Sequence, residues 1–235
     1  MLKSDFNQSI VKAYNFLNKL ALIREVINPS SLPVSKEFNY TAFSEQCTHQ
    51  DVFFKGLELT YYNFILIDYS FFQLSLSKEG DNAECRLVYY PNPMSDNGGS
   101  KPESPISDLS FYEELFHAGD IDFEQLSQAL CEIQINVSSP IIRYDLSYSQ
   151  FDRLSHPVAH FHLGVNNSSR IATNKVFTPE YFAMFIARTF YFSEWQKVNC
   201  ELFSLEQEFI KLKNLLNNIS DEKYCDMQKG LLNLV

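Results

Sequence analysis

Apolar positions change period along this chain, and the changes mark out its elements. Phe6, Ile10, Tyr14, Leu17, Ala21 and Val26 recur at helical spacing, which predicts one amphipathic helix over 5–27. Ser4 or Asp5 is placed to cap its start. Asn28-Pro29-Ser30 and Pro33 are placed to end it, because proline disfavours helix in the residue before it. Over 51–90 the pattern becomes strand-like. Phe64-Ile65-Leu66-Ile67 and Phe71-Phe72-Gln73-Leu74-Ser75-Leu76 are β-branched and aromatic, Lys78-Glu79-Gly80-Asp81-Asn82 is turn chemistry, and Cys85 to Tyr90 reads as the return strand of a hairpin.

The stretch 91–105 is rich in Pro, Gly, Ser and Asn and predicts a flexible loop, and 108–131 returns to helical character. Strands are expected over 133–146 and 158–163. Thr178 as N-cap with Pro179 at the first helical position opens a helix that runs to about Trp195. Val198, Leu202, Leu205, Phe209, Leu212 and Leu216 then form a short heptad seam within 198–218. The seam either packs inside the chain, joins a second copy as a homodimer, or docks a partner. The expected fold is α+β, a single domain over 1–235. In it, an antiparallel sheet from 51–90 and 133–163 carries helices mainly on one face, with N- and C-terminal helices added.

Composition narrows the function classes. Apolar residues make up 45 % and charged residues 20 %, which is globular rather than disordered. The 21 Phe and 13 Tyr suit sheet faces and helix–sheet seams. The seven glycines form no phosphate-cradling loop of either common type, so ATP and NAD binding have no support. A net charge of −10 lacks the global basic signature of a nucleic-acid binder, which leaves a local basic groove or a partner to supply the grip. Five dispersed cysteines without metal-ligand spacing suggest reduced thiols in a cytoplasmic protein. Met1-Leu2-Lys3-Ser4-Asp5 does not begin a signal sequence, and the apolar run near Phe64 is broken by Asp68, so no membrane span is expected.

Candidate chemistry concentrates between Arg143 and Arg170. Side chains alternate faces along a strand, so Val158, His160 and His162 share one face, and Ala159, Phe161 and Leu163 the other. Arg143 and Asp145 share a face opposite Ile142, Tyr144 and Leu146. If the two strands pair antiparallel with both apolar sets inward, Arg143, Asp145, His160 and His162 meet on one surface, with cross-strand neighbours about 5 Å apart. His156 can join them at the strand start, while Arg170, Asn166 and Asn167 are candidate substrate contacts.

Two histidines can serve as general acid and base in phosphodiester cleavage, with arginine stabilising the phosphate and Asp145 orienting an imidazole. The same histidines with Asp145 also match a two-His-one-carboxylate metal site, so a divalent cofactor stays open. The bland alternative is a solvated sheet face with a structural Arg143–Asp145 pair. Other chemistries fail on motif. There is one histidine pair rather than two His-x-Ser/Thr motifs, Val158 and Gly164 flank the pair where a histidine triad needs a third, and there is no Gly-x-Ser-x-Gly elbow. His49 reads as a surface turn, His117 as a helix C-terminal cation, and Glu113-Glu114 as a solvated helix face. Asp68 reads as an edge-strand acid or a second carboxylate for the site.

The order Arg143-Tyr144-Asp145, His156-Pro157, His160-Phe161-His162-Leu163-Gly164, Arg170-Ile171, Thr178-Pro179 and Phe190-Tyr191 resembles the bacterial family of unknown function DUF2290, with its motifs in the C-terminal half. The resemblance carries no established activity. Some members look like the second component of two-gene antiphage systems encoded beside a helicase. The resemblance therefore implies a defence component acting with a helicase or ATPase partner. Two roles are expected to compete, a nuclease-like effector using the His/Arg/Asp cluster and a non-catalytic partner-binding or regulatory subunit. A small-molecule or nucleotide-binding domain is a third.

Overall fold

A computed structural model describes residues 1–33, 47–93, 105–132, 139–165, 170–198 and 202–224. The described chain forms α1 (Lys3–Lys19), β1 (Ile23–Val26), α2 (His49–Glu58), β2 (Phe64–Leu66), β3 (Phe71–Lys78), β4 (Glu84–Tyr90), α3 (Pro105–Ala118), α4 (Phe123–Glu132), β5 (Ile142–Ser147), β6 (Ala159–Leu163), β7 (Ile171–Ala172), α5 (Pro179–Phe190), α6 (Phe192–Val198) and α7 (Leu202–Leu215). The seven strands make one antiparallel sheet in sequence order, so each pairs with the next along the chain. This is the α+β arrangement that the alternating apolar runs predict.

Period-two alternation decides which side of the sheet each residue faces. Phe64, Leu66, Phe72, Leu74, Leu87, Tyr89, Tyr144 and Leu146 point to one face. There they bury Phe6, Ile10 and Leu17 of α1 and Phe182 and Ile186 of α5. Trp195 and Leu205 extend this core under α6 and α7. The other face carries Ile65, Phe71, Val88 and Tyr90, and packs Val52, Phe53 and Phe54 of α2. The helices thus lie mainly on one side, with α2 on the opposite one.

Several boundaries differ from the sequence expectation for physical reasons. The first helix stops at Lys19 rather than at 27, and Ala21 takes a left-handed φ of 56°. The Leu22 N–H then donates back to the Leu17 carbonyl at 3.0 Å. Ile23 to Val26 leave as a strand that pairs with β2. The helix starts after Leu2, so neither Ser4 nor Asp5 caps it. Residues 49–58 are a helix instead of the start of the sheet. The Thr48 side chain accepts from the Asp51 N–H and the Asp51 carboxylate accepts from the Thr48 N–H, a reciprocal cap that starts α2.

Other expectations hold. β3 and β4 form the hairpin, with Gly80 at φ 88° in the turn. Thr178 caps α5, its Oγ1 accepting from the Tyr181 N–H at 3.2 Å, with Pro179 at the helix start. The helix breaks at Tyr191 before α6 begins. Of the expected 133–146 strand, β5 begins at Ile142, and 133–138 lie outside the described residues. Residues 94–104 of the 91–105 loop also lie outside them, as do 199–201 within the heptad segment. Leu205 and Leu216 are buried in the chain's own core, and Phe209 stacks on Tyr181 with ring centroids 5.0 Å apart. Val198, Leu205, Phe209, Leu212 and Leu216 of the heptad stripe thus pack in or against the chain's own core.

Candidate functional site

The site follows from the pairing of three adjacent strands. Opposite β5, Arg86 of β4 is level with Asp145, and on the other side Asp145 is level with His160 and Arg143 with His162 of β6. On each strand the neighbours of these residues face the α1/α5 core. The polar set therefore occupies the other face, beside the cluster under α2.

Asp145 is the centre. Its Oδ1 accepts from Arg86 Nε at 2.9 Å, its Oδ2 lies 3.0 Å from Arg143 Nε, and the same Oδ2 is 3.6 Å from His162 Nε2. Burial would raise the pKa of this carboxyl, but the charges of Arg86 and Arg143 outweigh it and hold the group below the usual carboxylate range. At neutral pH the centre is thus one carboxylate against two guanidiniums.

The histidines form a stack beside it. Ring centroids of His156 and His160 are 4.8 Å apart, as are those of His160 and His162, and both pairs meet edge to face. His160 is 0 % exposed and His162 4 %, so the face is not the solvated one of the bland reading. His160 Nδ1 donates to the Pro157 carbonyl at 2.9 Å. A carbonyl only accepts, so Nδ1 carries the proton and Nε2 holds a lone pair. Among the described residues nothing hydrogen-bonds that buried Nε2. Burial lowers the pKa of His160 to about 4, against the pull of Asp145, and it lowers that of His156 with help from the Arg170 charge.

The arrangement brings together Arg143, Asp145, His156, His160 and His162 from the sequence-derived set. Arg170 is exposed and near enough for its charge to act on His156. Asn166 and Asn167 lie outside the described residues. Val158 leaves the expected face. It precedes β6, so strand alternation does not govern it, and it is buried in the α1/α5 core while its carbonyl accepts from the Ser147 N–H at 2.8 Å.

Arg86 was not among the expected site residues. The available signal was the alternation of Cys85, Leu87 and Tyr89, which puts Arg86 on the opposite face. Only the β4–β5 register joins it to Asp145.

Smaller expectations are corrected. His49 is no surface turn. It opens α2, its Nε2 donates to the Pro91 carbonyl at 2.9 Å, and burial lowers its pKa to about 4. Asp68 serves as a turn anchor between β2 and β3, accepting from the Ser70 N–H at 3.0 Å and from Tyr191 Oη at 2.8 Å. Burial raises its pKa in spite of these bonds. Glu113 accepts from Tyr69 Oη at 2.6 Å and pairs with Arg24, so it is not simply solvated. His117 stands in the last turn of α3, as expected.

A family model described as "Uncharacterized conserved protein (DUF2290)" matches residues 18–229, well beyond the C-terminal motifs. No curated protein and no solved structure matches the chain significantly. No helix among the described residues is long and apolar enough to cross a membrane.

Proposed function

The chain belongs to the DUF2290 family of uncharacterized conserved proteins, and we propose that it acts on phosphodiester bonds as a nuclease-like effector through the β4–β5–β6 cluster. The observation that carries this reading is the convergence of His160, His162, Arg143 and Arg86 around Asp145 on one sheet face. Arg86 and Arg143 exceed the single carboxylate by one positive charge, which suits an incoming phosphate. A phosphate would approach from the side of Arg86 and Arg170, the exposed members of the set.

In the proposed step the lone pair on His160 Nε2 takes a proton from water. The water oxygen bonds to phosphorus, the bond to the leaving oxygen breaks, and that oxygen takes a proton from the imidazolium form of His162, whose Nε2 lies 3.6 Å from Asp145 Oδ2. Proton transfer from His160 to His162 through solvent resets the pair. The guanidiniums stabilise charge on the phosphoryl oxygens. The acidic chain has no nucleotide loop, so a helicase or ATPase partner would supply grip and energy, in keeping with the antiphage role that the family resemblance implies.

The test is hydrolysis of labelled single- and double-stranded DNA and RNA, by the chain alone and with any protein that co-purifies with it. A folded His160→Ala/His162→Ala variant should lose about 100-fold or more, the scale of acid–base contributions. Full activity in that variant would overturn the assignment.

A second reading makes the chain a non-catalytic subunit. Its supporting observation is the exposure of Phe111 and Phe116 on α3, apolar rings that touch Tyr112 and Phe123 on one side and face solvent on the other. Phe111→Ser/Phe116→Ser should then abolish co-purification while the histidine variants keep full biological activity. The opposite pattern favours the effector.

A further inference from the structure

We propose that Asp145, His160 and His162 form a binding site for one divalent transition-metal ion, with Zn²⁺, Co²⁺ and Mn²⁺ as the test ions. One ligating atom from each of the three lies within 4.8 Å of the other two. Ligands that share an ion at about 2.1 Å stand roughly 3–4 Å apart, so a small rotation of side chains closes the set. His162 Nε2 and Asp145 Oδ2 already meet that spacing at 3.6 Å.

The independent sign of a ligand is the state of His160. Its Nδ1–H is committed to the Pro157 carbonyl, which fixes the tautomer and aims the Nε2 lone pair away from that carbonyl. This is how a protein orients an imidazole that binds metal. That Nε2 is buried without a hydrogen-bond partner among the described residues, in a side chain 0 % exposed. A buried acceptor left unsatisfied costs about 1–3 kcal/mol, and a cation at this position removes the cost.

The donor set selects the class of ion. Two imidazoles and one carboxylate suit nitrogen-loving first-row metals, and three protein ligands leave coordination positions open. Mg²⁺ and Ca²⁺ prefer all-oxygen sets and are expected to bind poorly.

The surrounding charge says what else enters. With a dication bound, Arg86 and Arg143 against Asp145 leave three positive charges in excess, so a phosphoryl anion should bind beside the ion and tighten it. A role for the ion in phosphodiester chemistry rests on the reading above in substrate class alone: imidazoles that ligate the ion cannot also be the acid and base, and an ion-bound water would take the base's place. As a binding site the cluster stands on geometry alone.

The experiment uses the full chain, stripped by chelation and dialysed, then titrated with Zn²⁺, Co²⁺ and Mn²⁺ with and without inorganic phosphate. Metal content and the visible absorption of bound Co²⁺ give the stoichiometry. One equivalent is expected, bound more tightly with phosphate present. His160→Ala and His162→Ala should each lower affinity about 10- to 100-fold.

Because either variant could misfold, the unaltered protein is also labelled with ¹⁵N-histidine. Zn²⁺ should shift the ring nitrogens of His160 and His162 and leave those of His49 and His117 unmoved. No bound equivalent, or an equivalent that shifts only His49 or His117, overturns the site. Metal bound without phosphodiester cleavage upholds the site and sinks the nuclease reading. Cleavage by a chain that binds none of these ions does the reverse.

Discussion

On the sheet face opposite α1 and α5, two neighbouring patches are buried by different means. Under α2, Phe71 stacks on Tyr90 at 4.7 Å and packs against Phe53 at 5.2 Å, while Ile65 and Val88 fill the rest. Gln73, a polar side chain on this face, has a partner, donating to the Tyr61 carbonyl at 2.7 Å. On the next two strands, Arg143, level with Val88, and His160 and His162 are as deeply buried but carry charge and polar nitrogen. Apolar burial needs shape alone, whereas each polar group needs its own partner or costs free energy. The second patch meets that demand at Asp145 and, among the described residues, leaves it open at His156 Nδ1 and His160 Nε2. Those unsatisfied atoms are what separate a candidate site from a structural ion cluster.

The difference can be broken most forcefully at Asp145. Asp145→Ala removes the carboxylate that buried Arg143 shares with half-exposed Arg86, and should cost about 3 kcal/mol in urea unfolding, the low end of the scale for breaking a buried pair because solvent screens Arg86. A cost under about 1 kcal/mol would mean that water already screens this patch as it does surface pairs.

Acid should weaken both patches, because each holds a histidine whose pKa is lowered from 6.5 to about 4, His160 in the polar one and His49 at the start of α2. The unfolded chain takes up these protons near pH 6.5 and the folded chain only near pH 4. Stability is therefore full above the first value and falls as pH drops toward the second, by up to about 3 kcal/mol per histidine. Thermal melts across this window should show the decline, and His49→Gln should remove only its own share. A flat profile would show both imidazoles to be solvated.

The smallest effect is expected from Gly56→Ala in α2. An added Cβ would sit 2.6 Å from Phe71 Cζ and 3.2 Å from Cε2, against a ring held between Phe53 and Tyr90. Overpacking costs about 1–3 kcal/mol, and the better helix propensity of alanine returns up to about 1 kcal/mol. A net loss near 1 kcal/mol is expected by urea unfolding. A gain in stability would show that the apolar patch yields more readily than its packing implies.

Much of this contrast is legible in the sequence. The alternation in Arg143-Tyr144-Asp145 and His160-Phe161-His162 separates polar from apolar side chains, and the turn residues around Gly80 announce the β3–β4 hairpin. Thr178-Pro179 marks the start of α5. The edge strand Ile23–Val26 was hidden, since its apolar residues continue the helical spacing of α1 until Ala21 turns left-handed. The helix α2 was hidden too, because Val52, Phe53 and Phe54 stand consecutively and hide the helical period.

The sequence by itself determined which side chains share a face, because strand and helix periods are local properties of the backbone. It also marked the Gly80 turn and the Thr178 cap, because these depend on residues a few positions apart. The tertiary structure alone decided that Arg86 joins Asp145 from β4, that the heptad stripe turns inward, and that the histidines are buried. Those outcomes depend on strand register and on what covers the sheet, and both are set by residues far apart in the chain. The lone pair of His160 became a feature in the same way, once burial set it where no described protein group hydrogen-bonds it.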